Sequence, residues 1–135
     1  MLTVQYIGCF FDPETFQKQL NQLAREPLDR KIPTPHITFV YEPESIPWEQ
    51  FGKEVTVNVV GYGNNGENEA LKVAFVQLPD ELKTLASEIA VPHITLSVAK
   101  TGSSVNSKFL DFAPITPFPL KGIFGAMDTE GTVRT

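Results

Sequence analysis

The sequence predicts a single α+β domain made of two copies of one strand–helix–strand–strand unit, related by a pseudo-two-fold axis. Three observations predict it. The chain has 135 residues, enough for one core and too few for two. Short period-two apolar runs bounded by Gly, Pro and Asn dominate, and only two stretches carry a helical apolar stripe. The two histidines sit in the same tetrapeptide, Pro35-His36-Ile37-Thr38 and Pro92-His93-Ile94-Thr95, at one place in each copy.

The first copy covers residues 2–62. LTVQYIGCFF (2–11) is rich in β-branched and aromatic residues and predicts a strand, in which Tyr6 alternates with Leu2 and Val4. Asp12 is placed to cap a helix that opens on Pro13, where proline is tolerated. Phe16, Leu20 and Leu23 form its stripe. REPLDRKIPTP (25–35) is a proline-punctuated loop. The first motif strand follows over 36–41, with His36, Thr38 and Val40 on one face and Ile37, Phe39 and Tyr41 on the other. EPESIP predicts a turn and WEQFG one helical turn, with Trp48 plugging the edge of the core. KEVTVNVVGY (53–62) predicts a strand that places Val55, Val57 and Val59 together.

GYGNNGENE (61–69) is the strongest turn signal; its tip is either a plain hairpin loop or a nest of amides for a phosphate. The second copy spans 71–127. LKVAFVQL (71–78) predicts a strand, and Pro79-Asp80-Glu81 opens a short helix bearing Leu82, Leu85, Ala86 and Ile89. The second motif strand covers 92–99, with His93, Thr95 and Ser97 on one face and Ile94, Leu96 and Val98 on the other. KTGSSVNS predicts a mobile polar loop, FAPITPFP a proline-broken stretch, and LKGIFGAMD a last strand near 119–127.

Composition narrows the function classes. No apolar run approaches the roughly 18 residues of a membrane span. The N-terminus lacks the basic region and cleavage site of a signal peptide, so a cytoplasmic location is expected. The single cysteine, Cys9, lies in an apolar run and reads as a buried inert thiol. The net charge is −5, with no basic cluster of the kind that grips a long nucleic acid. A small ligand, or the end of a polymer, fits better.

The chemistry lies in the repeated His-x-Thr. On a strand, residues i and i+2 point the same way about 6.5–7 Å apart. An imidazole and a hydroxyl therefore project side by side, while Ile37 and Ile94 turn into the core. Two such strands facing one another across the pseudo-two-fold axis place two imidazoles and two hydroxyls in one cavity. One neutral imidazole can remove a proton while a protonated one supplies a proton to a leaving oxygen. The hydroxyls can donate to phosphate oxygens. A purely structural pair is the bland alternative, with the threonines chosen for β propensity. A metal site is another, but two histidines underfill a zinc shell and no carboxylate stands at ligand spacing.

HITFV and HITLS, 57 positions apart (93 − 36) in a duplicated chain, resemble the 2H phosphoesterase superfamily, which includes LigT-like enzymes and cyclic phosphodiesterases. The resemblance covers nearly the whole chain in topology, with its specificity in residues 35–38 and 92–95. It implies a bilobal α+β fold with two antiparallel sheets around a central cleft and helices outside. It implies metal-independent, cofactor-free hydrolysis of a 2′,3′-cyclic phosphate or a small cyclic or 2′–5′ oligonucleotide. His36, Thr38, His93 and Thr95 inherit the catalytic positions. RNA 2′–5′ ligation and non-catalytic binding of a nucleotide or RNA end are the alternatives on the same fold. The chain has few insertions beyond the core, which favours a nucleotide-sized substrate; no long nucleic acid, no membrane and a monomer are expected.

Candidates for substrate contact are Tyr62 and Phe124, whose aromatic faces suit a nucleobase, Tyr6, which would reach the cleft, and Lys100. Core packing competes with that role for each aromatic, and Tyr41 reads as structural or rim. Lys31, Lys72 and Lys121 are further cations, each also explicable as a solvated surface lysine.

Overall fold

The computed structural model describes residues 3–135; Leu2, expected in the first strand, lies outside them. The strands are β1 (Val4–Phe10), β2 (Arg30–Lys31), β3 (His36–Tyr41), β4 (Glu54–Asn64), β5 (Asn68–Gln77), β6 (His93–Val98), β7 (Ala113–Asp128) and β8 (Val133–Arg134). Two helices, α1 (Pro13–Leu20) and α2 (Lys83–Ser87), follow β1 and β5. The class is α+β with antiparallel strand pairing throughout.

The eight strands form one sheet, ordered β2-β6-β5-β4-β7-β1-β3 with β8 beside β7, where two sheets were expected. The cause is β7, 16 residues long, which belongs to both halves. Its Ile123 stands opposite Glu54 of β4 on one side and Phe10 of β1 on the other. The six main strands, β6-β5-β4-β7-β1-β3, keep their order, read backwards, when β1 is exchanged with β5, β3 with β6 and β4 with β7. The last strand of each half thus crosses over to pair with the first strand of the other.

The core lies on one face of the sheet. Val55, Val57 and Val59 are fully buried there with Ile7, Cys9, Ile37, Phe39, Leu71, Ile94 and Phe124. Asp12 accepts from the Thr15 amide (2.9 Å) and caps α1, which presses Phe16 and Leu20 into this core. Leu82 and Ala86 do the same from the other half. Burial of aliphatic and aromatic side chains at roughly 1.5–3 kcal/mol each is what holds the sheet to its helices. Cys9 is sealed in this core and burial pushes its thiol pKa up to about 12.

Several local expectations are corrected. The turn predicted over 61–69 narrows to residues 65–67, because β4 runs on to Asn64 and β5 begins at Asn68. Asn64 and Asn65 side chains accept from the amides of Gly66, Glu67 and Asn68, so those amides are already bonded. Gly66 takes a left-handed φ of +85°, which only glycine adopts cheaply. The stretch FAPITPFP is strand from Ala113 onward, but its ladder is interrupted: Phe118 stands opposite Val59 and Pro114 opposite Gly61, so residues 115–117 bulge out between them. The stretch pairs with β4 and leaves its other edge free, where prolines lose no ladder bond. Loop 25–35 contributes the short β2, which lengthens the sheet beyond β6. Trp48 does not plug the core: it is 55% exposed and leans on Phe51, which packs against Phe124.

Candidate active site

Proline precedes each motif strand, and each strand begins at its histidine. Ile37 and Ile94 are buried to 1% and 0%, and this anchoring turns His36, Thr38, His93 and Thr95 to the opposite face. Strands β3 and β6 approach to within 8 Å (Cα–Cα) without sharing a ladder. All four motif side chains line one cavity of about 270 Å³, with Ile32, Ser104, Val105 and Lys108.

The two halves match in detail. Gly8 lies opposite Thr38 and Ala70 opposite Thr95, and each pairing has a register shift immediately before that small residue. A Cβ on Gly8 would stand 2.0 Å from the Ile37 carbonyl oxygen, so only glycine permits this approach. The histidines match as well. His36 Nδ1 pairs with the Thr34 carbonyl at 2.8 Å, and His93 Nδ1 with the Val91 carbonyl at 2.8 Å. A carbonyl can only accept, so each Nδ1 carries a hydrogen and Nε2 is the nitrogen left for chemistry.

Both imidazoles titrate below the ordinary histidine range. For His36 burial is the main cause, opposed by the Thr34 bond and reinforced by His93. For His93 burial again dominates, opposed by the Val91 bond and reinforced by Lys108. Among the described residues no Asp or Glu lines the cavity, although the chain carries 16 of them, and Lys108 gives it a cation. That combination favours an anion. An entering anion also raises both imidazole pKa values and makes a protonated histidine accessible. Among the described residues, no group of three or more His, Cys, Asp and Glu side chains is placed to hold a metal.

The secondary candidates fare differently. Tyr6 is buried and stacks on the His36 ring (centroids 4.7 Å apart), with Phe10 alongside at 5.9 Å. It braces the imidazole and does not line the cavity. Phe124 is fully buried, edge-on to Phe39 and Phe51, and cannot stack on a base. Tyr62 donates to Glu69 at 2.6 Å and lines a separate cavity with Arg25 and Asn64. Lys100, Lys31, Lys72 and Lys121 do not line the histidine cavity, although Lys72 lies opposite His93 in the sheet register. Tyr41 is 60% exposed, at the rim of the sheet.

Lys108, Ser104, Val105 and Ser107 were missed. They lie on a 3-10 helix, Ser104–Phe109, whose first four residues fall in the stretch 100–107 expected to be a mobile loop; Lys108 stands just beyond it. The available trace was the Ser104–Ser107 spacing, which repeats at the three-residue period of such a helix. Ser107 is fully buried and paired with Thr95 (2.9 Å) and Asn68 (3.1 Å). Ser97, expected to share the face of His93 and Thr95, does not line the cavity: the β5–β6 register shifts between Glu69 and Ala70, and Ser97 donates to the buried Glu69 at 2.7 Å and accepts from the Leu28 amide at 2.9 Å.

No protein-family model matches the chain, and no curated protein matches it either. Among the described residues, no helix is long and apolar enough to cross a membrane.

Proposed function

We propose that the chain is a 2H-type phosphodiesterase that hydrolyses a 2′,3′-cyclic phosphate or a small cyclic or 2′–5′ oligonucleotide by paired histidine acid–base catalysis. The observation that carries the reading is the pair of His-x-Thr strands lining one acid-free cavity, each histidine held through Nδ1 with Nε2 free. A binding role alone would need no matched pair of proton-transfer groups. The cavity, at about 270 Å³, lies just below the roughly 300–1,000 Å³ of sites that enclose a drug-sized ligand. It suits a phosphate and its sugar better than a polymer.

In this scheme the phosphate lies between the imidazoles, with its non-bridging oxygens near Lys108 and the threonine hydroxyls. One Nε2 takes a proton from the attacking water as the new P–O bond forms. The other imidazolium gives its Nε2 proton to the ribose oxygen as the old P–O bond breaks. The product is a phosphomonoester, and the two histidines end with their protons exchanged. The scheme uses no metal.

The test is a panel of 2′,3′-cyclic nucleotides, 2′–5′ oligoadenylates and cyclic dinucleotides, read by chromatography with a chelator present. His36→Ala and His93→Ala should each slow the reactive substrate by about 10²–10⁴-fold. Either variant staying within a few-fold of the parent, or no turnover across the panel, would sink the reading.

A further inference from the structure

The motifs share a sequence, but their hydroxyls do not share surroundings. Thr95 is buried against Ser107, whereas Thr38 is more open and no described residue bonds its hydroxyl. The difference arises from a buried polar chain found in the second half alone. Asn68, 1% exposed, donates from Nδ2 to the Ser103 carbonyl (2.8 Å) and to Ser107 Oγ (3.1 Å). Its amide cannot be turned over, because Oδ1 would then face the Ser103 carbonyl oxygen. That constraint holds even though Oδ1 is left without a partner. Ser107 Oγ therefore accepts a hydrogen bond from Asn68 Nδ2. Ser107 is itself wholly buried, and among the described residues the one further oxygen paired with its hydroxyl is that of Thr95, 2.9 Å away. The heavy-atom geometry admits Thr95 as the donor to Ser107, but the buried Ser107 O–H would then have no acceptor. Ser107 finds one only in Thr95, whereas Thr95 also lines the cavity.

We propose that Ser107, anchored by Asn68, is a positioning residue that accepts from the amide, donates to Thr95 and so turns the Thr95 hydroxyl proton into the histidine cavity. The inference rests on the reading that the cavity takes a phosphodiester. Thr95 is then a preset donor to the charge that builds on a non-bridging oxygen, and Thr38 an adjustable one. Bonds in such a chain polarise one another, so the last donor is stronger than a lone hydroxyl. Preset donors cost no reorganisation as the reaction proceeds. The Asn68 bond to the Ser103 carbonyl, which Ser107→Ala leaves in place, seats the start of the 3-10 helix that carries Lys108.

The experiment is a double-mutant cycle with 2′,3′-cyclic AMP as the probe, alongside proton NMR of the ligand-free protein. Thr95→Val should lower kcat by about 10²-fold and Ser107→Ala by about ten-fold. The double variant should be no slower than Thr95→Val alone, because Ser107 acts through Thr95. Ser107→Ala combined with Thr38→Val should instead multiply. Multiplicative losses for Ser107→Ala with Thr95→Val would overturn the proposal. The NMR arm needs neither turnover nor a folded variant. The Ser107 hydroxyl proton should be protected from exchange and close to the Thr95 side chain, with the Thr95 proton exchanging freely. The reverse order would overturn the relay even if the phosphodiesterase reading stood. A correct proton order in a protein that neither turns over the probe nor binds inorganic phosphate would sink the phosphodiesterase reading, and the catalytic role of the relay with it.

Discussion

Replacing Glu69 by Gln should destabilise the domain by about 3–5 kcal/mol, the usual cost of breaking a buried ion pair. Glu69 is fully buried, and each carboxylate oxygen accepts two bonds. One takes Arg25 Nε (2.9 Å) and Tyr62 (2.6 Å); the other takes Arg25 Nη2 (2.7 Å) and Ser97 (2.7 Å). Glutamine keeps the shape but turns one acceptor into a donor. Whichever oxygen is replaced, one guanidinium bond and one hydroxyl bond are lost, and Arg25, with 13% of its side chain exposed, keeps an uncompensated charge. For a domain of this size the melting temperature should fall by about 10–20 °C, read by circular dichroism during heating and in urea. Arg25→Met alone should be comparably harmful, and the double variant Arg25→Met/Glu69→Leu should recover most of the loss. The carboxyl adds a pH signature. Burial pushes its pKa up, but the bonds from Arg25, Tyr62 and Ser97 outweigh burial and hold it below the usual range. The folded state therefore binds fewer protons than the unfolded chain. This share of stability is complete above the unfolded value of about 4.3 and is lost as pH falls through the folded one. If Glu69→Gln stayed within about 1 kcal/mol of the parent and kept its acid sensitivity, the fold would not depend on this buried network.

Two further outcomes concern the proposed chemistry. The free-enzyme profile, kcat/KM against pH, should be bell-shaped with both limbs below the ordinary imidazole value of about 6.5, because both histidines are lowered mainly by burial. The kcat profile should lie at higher pH, since a bound phosphate anion favours the imidazolium; coincident profiles would contradict this. Lys108→Gln should raise KM about ten-fold at low ionic strength with kcat within a few-fold. The difference should shrink in about 0.5 M salt, and a salt-independent effect would exclude a charge role.

The strands and the site were legible to different degrees. Val55, Val57 and Val59, or Ile37 against His36 and Thr38, assign their faces because a half-buried strand must alternate. Asp12 and Pro13 mark a helix start through bonds made within four residues. Pro114, Pro117 and Pro119 in the stretch 112–119 fit a strand because proline is forbidden only where a ladder bond is needed, and only the sheet order reveals that one edge is free there. Tyr62 and Phe124 looked like candidate platforms because an aromatic residue reads the same whether it faces a ligand or a core.

The sequence by itself determined the two motif strands, the faces taken by His36, Thr38, His93 and Thr95, the repeated tetrapeptide and the residue types that meet in the cavity. These follow from local periodicity and from a repeat that needs no partner to be seen. Only the tertiary structure decided that β4 and β7 cross between halves to make one sheet, and that Tyr6 braces His36. Only it could bring Lys108 and Ser107 to the second motif. Those outcomes depend on contacts between residues far apart in the chain, where packing and the pairing of buried polar groups choose the partner. A hydroxyl such as that of Ser107 acquires a role only when burial leaves it a single oxygen to bond.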